Sequence, residues 1–158
     1  MSAVSAAPGG HVRMHGRTLV RAFGVIGAVL AALVTWAIAV PFLGTDLLIR
    51  FGTGSPQTVQ IEYVIGASLV GSLAGWALVA LLERRTKHVR ALWTTLAIVV
   101  LLLSLTLPLT AGATISAKVA LATMHLAVAA VLLPVLALTS GLRDRRSTAA
   151  TDIATTRR

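Results

Sequence analysis

Lys118 and His125 are the residues of this chain whose types and spacing could do chemistry. They lie seven apart in an apolar run, nearly two helical turns, so on a helix they share a face, with His125 on the order of 10 Å further along the axis. An ionisable group inside an apolar helix is costly and points by default to a ligand, a proton or a lipid headgroup. Glu62, near the same expected end of its own segment, is the ion-pair partner that geometry offers Lys118, and Asp46 competes for that place. Ser104, with Thr106 and Thr110, could supply a hydroxyl to His125.

The same residues also admit a structural reading. Lys118 would reach the headgroups along its methylenes, and His125 would stay a neutral imidazole bonded to a facing hydroxyl. Catalysis has less to work with. No carboxylate falls at the depth of His125, and the chain has no cysteine, no HExxH pair, no phosphate-cradling glycine loop and no Ser-His-Asp set. Gly52-Thr53-Gly54-Ser55 reads as a flexible turn. A lone histidine cannot hold zinc or haem, so no metal and no cofactor is expected, and an enzyme is the weakest reading.

Positioning these residues falls to long apolar segments. The 158 residues are 56% hydrophobic and 12% charged, with a mean hydropathy of +0.87, against roughly 25% charged in soluble domains. The charges are bunched: Arg21 to Asp46, Glu62 to Glu83, Arg90 to Lys118 and Lys118 to Arg143 each enclose twenty or more uncharged residues. About 20 apolar residues cross a bilayer as a helix. The chain is therefore expected to be an all-α integral membrane protein, a bundle of four transmembrane helices over residues 21–141.

The spans are placed at about 22–40, 61–82, 92–107 and 117–140, between disordered basic tails at 1–20 and 142–158. Pro41 and Pro108 close the first and third. In the first outer loop Thr45 could cap a short interfacial helix that pairs Asp46 with Arg50 at i, i+4. Lys and Arg number twelve on the side of the tails and the middle turn, against Arg50 and Lys118 on the other. The positive-inside rule then places both termini in the cytoplasm of a bacterial plasma membrane.

The formal charge of +9 is read in the same way, as an attraction to the anionic inner leaflet rather than to nucleic acid. Ala37-Ile38-Ala39 has the form of a signal-peptidase site, but the apolar run before it is long for a signal core and continues to Leu43, so the first span is expected to stay.

Ala67, Gly71 and Gly75, four apart on the second span, let a neighbouring helix approach closely, as do Gly24, Ala28 and Ala32 on the first. Packing within one bundle is expected, with a second copy or another membrane protein as the alternative. Pro134 removes one amide inside the fourth span and is expected to bend it. Most of the sequence is thus accounted for by spanning, orienting and packing, which favours a non-enzymatic accessory or interaction subunit over a small transporter, channel component or lipid- or quinone-binding protein.

Three stretches resemble a family of small four-span actinobacterial membrane proteins of uncharacterised function. They are Gly44-Thr45-Asp46; Gly75-Trp76-Ala77-Leu78 running into Leu81-Leu82-Glu83-Arg84-Arg85; and Ser104-Leu105 with Leu107-Pro108, continuing to Lys118-Val119-Ala120-Leu121-Ala122-Thr123-Met124-His125-Leu126. The resemblance covers about residues 17–141 and implies four helices in an actinobacterial plasma membrane. It singles out Lys118, Met124 and His125 and implies no reaction.

Overall fold

The computed structural model describes residues 10–50, 54–110 and 113–140, with side chains from Gly16 onward. The tail expected at 142–158 lies outside them. Four helices carry the chain: α1 (Gly10–Ala37), α2 (Ile61–Arg85), α3 (Val89–Thr110) and α4 (Ile115–Thr139). All four are long and apolar enough to cross a membrane. The structure is therefore that of an all-helical, multi-pass membrane protein.

Residues 10–20, expected in a disordered tail, instead open α1. The reason is tertiary: Arg17 and Arg21, one turn apart, are held by partners on α2 and α4. At its other end α1 runs into a π turn, Ile38–Phe42, that contains Pro41. Proline lacks the amide that an α-turn needs and its ring crowds the preceding carbonyls, and the wider turn relieves both. Gly44, at φ +63°, then ends the helix, as the amides of Gly44 and Thr45 turn back onto the carbonyls of Val40 and Ala39.

Among the described residues of the connection to α2 no interfacial helix follows. Leu47 drops into the bundle at 1% exposure, and β1 (Leu48–Ile49) pairs antiparallel with β2 (Gln57–Thr58), Leu48 opposite Thr58 and Ile49 opposite Gln57. The left-handed Gly44 redirects the chain before a helix can start, and Gly54 and Pro56 lead into the returning strand β2. Asp46 and Arg50 therefore form no ion pair. Pro108 does not end α3, which continues to Thr110, and α4 stays helical through Pro134.

Two buried clusters fill the bundle. One joins all four helices near the end where α1 begins, through Ala28, Val79, Trp93, Ala97, Leu132 and Leu136. The other lies toward the hairpin and joins Ala32, Ala39, Leu47, Val64, Ala117 and Met124, with no buried member from α3. The helix α3 is thus the peripheral one, with 11% of its apolar stretch buried. The helices α1 and α4 pack closely because Gly24 and Gly27 carry no side chain. A Cβ on Gly24 would stand 2.6 Å from Val135 Cγ1, and one on Gly27 3.3 Å from Val131 Cγ1.

On α2 the small residues behave differently: Gly75 receives Trp93, whose ring would lie 3.2 Å from an added Cβ, whereas Gly71 faces open space. Gly24→Leu should therefore destabilise the detergent-solubilised protein by about 1–3 kcal/mol, the usual cost of overpacking, while Gly71→Leu leaves its melting temperature unchanged or raised. Equal losses from the two in thermal unfolding would contradict this packing.

Candidate functional site

Two places stand out, a charged network at one end of the bundle and a largely apolar cavity reaching toward the other. At the end where α1 begins and α4 finishes, Glu83 lies between two guanidiniums. Arg21 Nη2 is 2.5 Å and Arg17 Nη2 2.7 Å from Glu83 Oε1. Both arginines also donate to the carbonyl of Thr139, at 3.2 and 2.7 Å, and Arg21 Nε donates to the Thr139 hydroxyl at 3.1 Å. That carbonyl is in the last turn of α4, where acceptors lack helical partners and the helix dipole favours cations.

The network thus ties α1, α2 and α4 at one point. Arg21 at 7% exposure and Glu83 at 17% are largely buried, so these two charges depend on each other more than on water, while Arg17 at 29% is partly exposed. Sequence reasoning read these residues only as topology signals. The missed clue was a lone acid, Glu83, closing an apolar span opposite two arginines at i, i+4.

Toward the hairpin, α2, α3 and α4 enclose a partly open cavity of about 690 Å³, with Ala32 of α1 at its back. Its extremes on α2, Tyr63 and Leu78, are about 22 Å apart along the helix axis. The cavity is therefore a slot, and it runs along α2 past Gly75, where Trp93 of α3 is seated. Ala67 and Gly71, expected to seat a helix, line this slot along with Gly75. Its lining contains no Asp, Glu, Lys or Arg.

Of the residues singled out in the sequence as a polar site, Ser104 and His125 both line the slot. Lys118, Glu62 and Asp46 do not join them. Lys118 Nζ donates to the carbonyl of Leu109 at 3.0 Å, closing the α3–α4 connection by satisfying an acceptor in the last turn of α3. Glu62 is exposed in the first turn of α2, where a carboxylate complements the helix dipole, and Asp46 is exposed in the loop. The hydroxyl expected to face His125 is not the partner of Nδ1, which lies 2.8 Å from the carbonyl of Leu121 on its own helix. Ser104 Oγ likewise donates to Leu101 O at 2.8 Å. Among the described residues no three of His, Cys, Asp and Glu gather as metal ligands.

The DUF6069 family model matches residues 12–141, which include all four spans. The chain belongs to this family of unknown function. DUF6069 membership extends over the basic-end network and the slot alike, and it carries no reaction or ligand with it. No curated protein and no solved structure matches the chain.

Glu83→Gln removes the carboxylate shared by the buried Arg21 and the partly exposed Arg17, and breaking a buried pair such as Arg21–Glu83 on one side typically costs about 3–5 kcal/mol. A large fall in thermal stability in detergent is expected, well beyond that of Glu62→Gln, whose side chain is exposed. Equal behaviour of the two variants would show that the network is not holding the helices.

Proposed function

We propose that this protein is a non-enzymatic accessory component of an actinobacterial plasma membrane that holds the hydrocarbon part of one membrane lipid in the slot between α2 and α3. The observation that carries the reading is the slot itself: about 690 Å³, apolar over most of its wall and free of charged side chains. That volume falls within the roughly 300–1,000 Å³ typical of small-ligand sites. In a bilayer the medium around a gap between helices is acyl chain, so an apolar gap of this size fills with hydrocarbon.

A transport pathway is less well supported. Lys118 and Glu62, which would have to serve it, are absent from the slot lining. The orientation with both termini cytoplasmic is supported by the twelve-to-two distribution of basic residues, which also draws the basic end toward anionic lipid. The segment from Lys118 to Leu126 matters in this reading chiefly through Met124 and His125, both on the slot wall.

Trp93 provides the test, since it lines the slot while only 3% exposed. With Trp36 and Trp76 replaced by phenylalanine, bilayers of brominated-chain lipid should quench Trp93 fluorescence strongly, and Gly71→Leu should abolish most of that quenching by narrowing the slot one turn from Gly75, on which Trp93 is seated. Quenching indifferent to Gly71→Leu would mean that lipid does not enter there.

A further inference from the structure

We infer that the slot selects a lipid whose head is an uncharged hydrogen-bond donor, that is, a hydroxyl-headed neutral lipid, recognised by His125 Nε2 and Ser104 Oγ. The inference rests on the lipid-slot reading above and adds what the polar part of the lipid must be.

The argument follows the protons. Carbonyl oxygens only accept, so the 2.8 Å contact between His125 Nδ1 and Leu121 O places the hydrogen on Nδ1. With the ring neutral, Nε2 is then the acceptor nitrogen, and no described group bonds it. Ser104 spends its hydroxyl hydrogen on Leu101 O and Ser68 spends its own on Val64 O at 2.6 Å, which leaves lone pairs on both oxygens. Trp93 Nε1–H faces Leu133 O at 3.4 Å. In the body of the slot, therefore, the side-chain donors are turned onto helix carbonyls, and what is left for a ligand is a set of acceptors. A ligand carrying only acceptors, such as an ester or a quinone, finds no donor there; an alcohol or a quinol does find acceptors.

Charge and depth narrow the class further. The lining has no cation to neutralise a phosphate and no carboxylate to meet an amine. His125 stands ten residues into α4, about 15 Å along the axis, where a charged head would have to leave its water behind. A single neutral hydroxyl reaches that depth at far smaller cost when its one hydrogen bond is made. Gln57, Thr58 and Tyr63 supply polar groups only near the hairpin, at the rim.

The test uses the full chain in phosphatidylcholine nanodiscs doped with a diazirine-bearing hexadecanol or with its methyl ether, in which a methyl group replaces the donor hydrogen. Mass spectrometry then reads which peptides are labelled. The alcohol should label the slot-lining peptides about fivefold more than the ether, the size of one net hydrogen bond. His125→Phe, which keeps the volume but offers no acceptor, should bring the alcohol down to the level of the ether while labelling by the ether persists, showing that the fold is intact. Ser104→Ala should reduce the preference in part.

Equal labelling by alcohol and ether in the unmodified protein would overturn the hydroxyl inference and leave the lipid slot standing. A preference that survives both His125→Phe and Ser104→Ala would overturn the assignment to these residues. Labelling by either probe that ignores Gly71→Leu would remove the lipid slot, and this inference with it.

Discussion

Glu83 shares its carboxylate between Arg17 and Arg21, and both arginines reach on to the carbonyl of Thr139 at the end of α4. In lipid the hydrophobic effect does not draw helices together, so van der Waals fit and polar contacts have to do so. This network supplies the polar contact at one end and fixes α1, α2 and α4 relative to each other. The helix α3 is tethered there as well, by the three-residue connection after α2 and by Trp93 packing on Gly75. At the other end no comparable group among the described residues joins α3 to α2. The bundle is therefore tight at the basic end and parted toward the hairpin, and the slot is the consequence.

Small residues determine which helices close and which stay apart. Gly24 and Gly27 allow Val135 and Val131 of α4 to press onto α1. Gly71 and Ala67 are of the same size and spacing, but no helix comes to them, and their missing volume becomes part of the cavity. A stripe of small residues permits close approach without causing it. What decides is whether a partner is held nearby, which the Arg–Glu–Thr network ensures for α1 and α4 and leaves undone for the far half of α3.

The sequence made the four helices legible because twenty-odd uncharged residues between charges have few alternatives in a chain this apolar. Local endings were less legible. Pro41 widens a turn rather than stopping a helix, Pro108 lies inside the last turn of α3, and past Gly44 the strands β1 and β2 pair where an amphipathic pattern suggested a helix. The candidate site was legible in part: Ser104 and His125 share the slot wall, but Lys118 is occupied with the carbonyl of Leu109. That outcome depends on where a helix end presents a bare acceptor, which spacing along one helix cannot reveal. The basic-end network was hidden for a related reason, since charge counting treats arginines as topology markers and ignores whether a particular carboxylate stands opposite them.

The chain thus combines a clamped end with a slot whose interior offers acceptors and no charge. Native mass spectrometry of the protein released gently from its own membranes tests this account most directly. The prediction is a one-to-one complex with an uncharged, hydroxyl-bearing lipid, lost in Gly71→Leu. Bare protein, or complexes with phospholipids alone, would contradict it.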